Sequence, residues 1–123
     1  MQRIVLVAED DPSIQMLVSG IFEMRGYRVL KAYTGSEATV IAVDARPDLI
    51  VSDLNMPSGY GSSFFKRVRE DEATKHIPFI FITGLPEDQA RKLIPENTPN
   101  TLLIRKPFDV KELLNAAEQI LAP

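Results

Sequence analysis

Residues 4–22, IVLVAEDDPSIQMLVSGIF, carry the unit on which the rest of the chain is built. Ile4 to Ala8 is apolar without alternation, as in a strand whose sheet is covered on both faces. Glu9, Asp10 and Asp11 close that run. Asp11 followed by Pro12 marks a helix start, because a carboxylate accepts the free N–H groups of a first turn and proline fits the first helical position. Ile14, Leu17, Val18, Ile21 and Phe22 then recur at the spacing of one apolar helical face.

The same alternation runs outward through the sequence. Strands are predicted at Arg28 to Lys31, Leu49 to Ser52, Phe79 to Thr83 and Thr101 to Arg105, which makes five in all. Between them lie helical patterns: Ala38, Ile41, Ala42 and Ala45; Phe64, Phe65 and Val68; Ala90, Leu93 and Ile94; and Val110, Leu113, Leu114, Ala117 and Leu121. Thr34 with Glu37 and Asp109 with Glu112 have the spacing of capping pairs. Five strands alternating with five helices, joined by right-handed crossovers, predict a doubly wound α/β sandwich of the flavodoxin-like kind. The expected parallel strand order is 2-1-3-4-5.

Composition narrows the function. The chain has 123 residues, 45% hydrophobic and 25% charged, which fits one domain spanning 1–123 with no output domain attached. It has no cysteine and a single histidine, His76, so thiol catalysis, thiolate zinc sites and multi-histidine metal sites are excluded. Its 14 basic and 17 acidic residues lack the footprint of a nucleic-acid binder. The apolar runs are too short for a membrane span and no signal peptide is evident, so no membrane insertion is expected and the expected location is cytoplasmic.

In an open parallel sheet, ligands bind beyond the carboxyl ends of the strands near the switch in strand order. Glu9, Asp10 and Asp11 follow the first strand, Asp53 the third, Thr83 and Gly84 the fourth, and Lys106 and Pro107 the fifth. If Glu9, Asp10 and Asp53 lie within about 5 Å of one another, each like-charge pair costs on the order of 3 kcal/mol at an effective dielectric of about 20. Lys106 can offset part of that. A small hard cation offsets more, and Mg2+ suits oxygen ligands, with the backbone carbonyl of Asn55 as a further donor. Beside such a cation, the Asp53 carboxylate can act as a nucleophile toward phosphorus. Lys106 and the Thr83 hydroxyl then meet the charge on the phosphoryl oxygens, and Gly84 leaves room for the group.

Taken singly, each of these residues has a plainer reading. Asp11 reads first as a helix cap, Glu9 and Asp10 as the polar end of a strand, Asp53 as a turn residue, Thr83 as a strand residue and Lys106 as a solvated lysine. His76 reads as a loop residue. Phe64, Phe65 and Phe108 read as core or core-edge packing, since no basic residues interleave with them as a base-stacking surface requires. The phosphoryl chemistry rests on complementary groups at four separate strand ends.

These residues resemble response-regulator receiver domains, the CheY-like phosphoacceptor half of two-component and phosphorelay signalling. The resemblance lies in Val5-Leu6-Val7-Ala8-Glu9-Asp10-Asp11, the spacing of Ala32, Gly35 and Ala38, Pro47 to Pro57 around Asp53, Gly61, Ile77-Pro78-Phe79-Ile80-Phe81-Ile82-Thr83-Gly84, and Lys106-Pro107-Phe108. It implies phosphorylation of Asp53, Mg2+ held by Glu9, Asp10, Asp53 and the Asn55 carbonyl, and phosphate-binding roles for Thr83 and Lys106. It also implies a cis peptide before Pro107. Two departures stand out. Receivers often carry a switch aromatic three residues before the lysine, where this chain has Leu103, so the aromatic switch is absent or altered. Ile94 to Asn100 replaces the usual small-residue stretch, and its two prolines should shorten the fourth helix and stiffen its exit.

The resemblance implies a donor that is a histidine kinase or histidine phosphotransfer protein and a downstream effector protein; because Ile94 to Asn100 departs from the pattern at the usual partner and dimer surface, the standard dimer is not carried across and a monomer or weak dimer is expected. Such a chain catalyses its own phosphotransfer and autodephosphorylation without turning over a metabolite. The alternative is a receiver-like interaction module that works without phosphorylation. A haloacid-dehalogenase-type phosphatase needs an Asp-x-Asp motif after the first strand, which Glu9-Asp10-Asp11 does not supply. A flavin or nucleotide module needs a glycine- or hydroxyl-rich loop there.

Overall fold

A computed structural model describes residues 2–54 and 61–122. The elements follow in strict alternation: β1 (Ile4–Ala8), α1 (Pro12–Met24), β2 (Arg28–Ala32), α2 (Gly35–Ala45), β3 (Leu49–Asp53), α3 (Gly61–Glu70), β4 (Phe79–Thr83), α4 (Glu87–Leu93), β5 (Thr101–Arg105) and α5 (Val110–Leu121). All strand pairs are parallel and the order is β2-β1-β3-β4-β5. The expected fold is therefore present, with β2 and β3 each one residue longer than their sequence patterns. No helix among the described residues is long and apolar enough to cross a membrane.

Side chains alternate across the sheet with a period of two and build a core on each face. Leu6, Ala8, Ile50, Phe79 and Phe81 pack with Ala38 and Ala42 of α2, Phe64 and Val68 of α3, and Ala90 of α4. On the opposite face Val5, Val7, Leu49, Val51, Ile80, Ile82 and Ile104 meet Val18, Ile21 and Phe22 of α1 and Leu113, Leu114 and Ala117 of α5. The three central strands have no exposed face, which is why their sequences show no polar alternation.

The caps form as their spacing predicts. The Asp11 carboxylate accepts from the Ser13 and Ile14 N–H groups. Thr34 Oγ1 accepts from Glu37 N while Glu37 Oε1 accepts from Tyr33 N. Asp109 Oδ1 accepts from Glu112 N at 2.7 Å. Helix α1 closes in a Schellman arrangement, with Tyr27 N bonding to Phe22 O, Gly26 N bonding to Glu23 O, and Gly26 at φ 85°. Helix α4 is seven residues long and stops at Ile94, which is extended, as a residue before proline prefers.

The α1 surface differs from its sequence pattern. The buried residues are Gln15, Val18, Ser19, Ile21 and Phe22, whereas Leu17 is 52% exposed. Two polar side chains thus occupy core positions, and their hydrogen bonds permit it. Ala45, Leu93 and Val110 also lie on exposed surface despite falling on apolar helical spacings.

At the amino ends of β4 and β5, away from the acidic strand ends, Arg69 forms a clamp that the sequence pattern does not reveal. Its guanidinium donates to Ile77 O at 2.6 Å and Asn100 O at 3.3 Å, and lies 4.8 Å from the Phe65 ring centroid and 5.2 Å from that of Phe79. Partial burial lowers its pKa. A lysine offers neither the planar fork nor the stacking surface. Arg69→Lys is expected to lower folding stability by about 1–2 kcal/mol, read from the midpoint of urea denaturation.

Candidate functional site

The site is assembled by strand register. In the parallel pairing of β1 with β3, Ala8 lies opposite Ser52, so Glu9 and Asp53 are the next residues along neighbouring chains at the same sheet end. Asp53 in turn lies opposite Ile82 of β4, one residue before Thr83, and Thr83 lies opposite Arg105, one residue before Lys106. Backbone bonds extend these pairings past the strands: Leu54 N donates to Ile82 O, and Lys106 N donates to Thr83 O at 2.7 Å. Four strand ends thereby converge.

One carboxylate oxygen from each of Glu9, Asp10 and Asp53 lies within 4.8 Å of the others. Glu9 and Asp53 are 4% and 7% exposed, so their repulsion is only weakly screened by water. Lys106 reaches between them, with Nζ 3.3 Å from Glu9 Oε1 and 3.6 Å from Asp53 Oδ2. Among the described residues, one ammonium faces three carboxylates. Burial, reinforced by the nearby Asp53 charge, pushes the Glu9 pKa up to about 7, against the opposing pull of the Asp11 N–H and Lys106. This donor set fits a small divalent cation: three oxygens converge, and the strain of their charges is what a cation relieves.

Thr83 is fully buried and its Oγ1 accepts from Leu85 N at 3.0 Å. That bond leaves the hydroxyl hydrogen to donate elsewhere. A Cβ added at Gly84 would meet nothing within 4 Å among the described residues. Pro107 follows a cis peptide, as the resemblance implies. Leu103 is partly buried and packs on the core under α2, α3 and α4, opposite Phe81 across the β4–β5 ladder. Asn55 lies outside the described residues. Asp11 serves as the cap of α1 and contributes its own N–H to Glu9 Oε2 at 3.2 Å. His76 is an exposed turn residue.

The structure adds Gln15 to this neighbourhood. It is 1% exposed, and its Nε2 donates to Val7 O and Ala32 O at 3.0 Å, with Glu9 O a longer, shared contact at 3.4 Å. The available sequence signal was its spacing three and seven residues before apolar Val18 and Phe22.

The chain belongs to the response regulator receiver domain family, whose pattern matches residues 5–118. It is 38% identical over 117 residues to the DNA-binding dual master transcriptional regulator RpaA of Synechocystis sp., covering 95% of this chain and 48% of that protein. The chain spans about half the length of the curated transcriptional regulators it matches. Among solved structures, the chemotaxis response regulator CheY4 of Vibrio cholerae superposes with a TM-score of 0.88 at 32% identity, covering 98% of this chain and 100% of that one. The receiver domain of the sensor histidine kinase PA1611 from Pseudomonas aeruginosa, solved with a magnesium ion coordinated in its active site cleft, gives a TM-score of 0.90 at 25% identity over the full length of both. The family is a signalling domain rather than a metabolic enzyme.

The raised Glu9 pKa makes the metal-free protein sensitive to pH. Between the ordinary value of 4.5 and about 7, the folded state holds a proton on Glu9 that the unfolded chain has released. Stability from this group is therefore present at low pH and declines as pH rises through that window. Urea denaturation at roughly pH 5 and pH 8 without divalent cations is expected to show a larger loss for wild type than for Glu9→Gln. Equal losses would remove Glu9 as the source.

Proposed function

We propose that this chain is a phosphoacceptor that takes a phosphoryl group onto Asp53 from a phosphohistidine donor and signals the change to a partner protein. The observation that carries the proposal is the convergence of Glu9, Asp10 and Asp53 around one point, with Lys106 between Glu9 and Asp53. Glu9, Asp10 and Asp53, with the Asn55 carbonyl, would hold Mg2+. When bound, that ion supplies positive charge for the phosphoryl oxygens and lowers the repulsion among the carboxylates.

In the reaction an Asp53 carboxylate oxygen attacks phosphorus, the P–N bond of the phosphohistidine breaks, and its electron pair returns to the imidazole nitrogen. The product is an acyl phosphate on Asp53. Lys106 already lies within reach of Asp53 and is placed to pair with a phosphoryl oxygen as charge shifts outward. Thr83 can donate its hydroxyl hydrogen to a second oxygen. Water attack on the same acyl phosphate gives autodephosphorylation and returns the carboxylate. Modification replaces one carboxylate charge by about −1.5 to −2, which biases the loops after β3 and β4 toward a second arrangement that a partner reads.

The donor would be a histidine kinase or histidine phosphotransfer protein, and the reader an effector protein, with the chain acting in the cytoplasm. The family membership and the magnesium recorded in the PA1611 receiver support this reading. A receiver-like module working without phosphorylation is the less favoured reading, because it gives no reason for three carboxylates and a lysine to meet at buried strand ends.

Incubation with acetyl phosphate and Mg2+ is expected to add about 80 Da to the intact mass of wild type and nothing to Asp53→Asn. Retained labelling in the variant would overturn the assignment of Asp53. Lys106→Ala is expected to keep binding Mg2+ while losing most of the conformational response to the phosphoryl group, followed by amide NMR shifts. An unchanged response would remove Lys106 from the mechanism.

A further inference from the structure

We propose that Gln15 is a positioning residue for the acidic pocket: its buried amide fixes the backbone that carries Glu9 and Asp10, and so sets the affinity of the pocket for a divalent cation. The inference rests on the reading of that pocket as a cation site and goes beyond it by assigning a residue that touches none of the ligand atoms.

A glutamine side chain at 1% exposure loses its water and must be repaid by internal hydrogen bonds. Gln15 Nε2 lies 3.0 Å from Val7 O, 3.0 Å from Ala32 O and 3.4 Å from Glu9 O. All three are carbonyls and can only accept, so the amide is oriented with its NH2 toward the sheet. Its Oε1 then needs a donor, and Ser19 Oγ provides one at 2.7 Å from the next turn of α1. The amide has both ends engaged and one orientation.

The carbonyls it gathers lie where the β1–β2 ladder runs out. The last paired residues are Ala8 and Ala32, and Glu9 N still donates to Ala32 O at 3.0 Å. Beyond this bond the chain must leave the sheet and turn into α1 while presenting two acidic side chains. The Glu9 residue is thus held through its N–H by β2, while the two Gln15 amide hydrogens secure Val7 O before it and Ala32 O, the acceptor of that N–H, with Glu9 O a longer, shared contact at 3.4 Å. The next fixed point is Asp11, whose side chain caps α1. Gln15 ties the strand ends, the acidic turn and the helix into one unit. Being neutral, it adds no charge that would compete with a cation.

Groups behind the ligands of a metal site commonly control affinity by about 10–100-fold when removed. The test is a Mg2+ titration by calorimetry on wild type, Gln15→Met, Ser19→Ala and Arg69→Lys, with metal-free urea denaturation of each. Methionine keeps the length and lacks the donors. Gln15→Met is expected to bind Mg2+ about tenfold or more weakly. Ser19→Ala, which frees Oε1, is expected to show a smaller loss in the same direction. Arg69→Lys, which loosens the opposite end of the sheet, is expected to lose stability with unchanged Mg2+ affinity. A folded Gln15→Met with wild-type affinity overturns the proposal, as does an equal loss of affinity in Arg69→Lys, since either reduces Gln15 to general stability. If Gln15→Met does not fold, unchanged affinity in Ser19→Ala overturns it. No Mg2+ binding by wild type would instead overturn the cation reading, and this inference with it.

Discussion

The repulsion between buried carboxylates at the ends of two adjacent parallel strands organises one end of this protein. Parallel pairing places Ala8 beside Ser52, and the next residue on each chain is acidic. The sheet cannot shift by one residue to separate them without turning every core side chain of the shifted strand into the opposite core, where it does not match its neighbours. The repulsion is therefore built in by hydrophobic register. What surrounds it reduces its cost: a lysine delivered from the fifth strand, an N–H from the helix cap, and a proton retained by Glu9 up to about pH 7.

The two ends of the sheet are stabilised in different ways. At the amino ends of β4 and β5, Arg69 is satisfied by fixed carbonyls and packed against Phe65 and Phe79, whose rings meet edge to face at 4.9 Å. At the carboxyl end three carboxylates converge on one point with Lys106 between two of them. Thr83 connects this end to the helical layer through Leu85, and Leu85 and Leu103 both pack on the same core beside α4.

Much of this was legible from local patterns. Unbroken apolar runs marked strands covered on both faces, and Asp11, Thr34 and Asp109 marked helix starts because capping involves residues only two or three positions apart. The acidic residues, Thr83 and Lys106 were also legible, since each immediately follows a strand and strand ends converge in a parallel sheet. The α1 surface was less legible. Leu17 satisfies helical periodicity yet is half exposed, while Gln15 and Ser19 violate it yet are buried. Periodicity measures apolarity along one helix and is blind to a carbonyl on another strand.

The alternation of strands and helices, their order, the helix caps and the candidate site residues can be read from the amino-acid order, because each depends on neighbours in the chain or on a rule of connection. The tertiary structure alone decided how close Glu9, Asp10 and Asp53 come, that Glu9 is buried enough to hold a proton near neutrality, and that Lys106 bridges two of them. It also decided the contacts of Gln15 and Arg69, whose partners include backbone oxygens 17 and 31 residues away. Backbone carbonyls carry no side-chain signature, so a polar residue that serves them shows its purpose only once the strands are assembled.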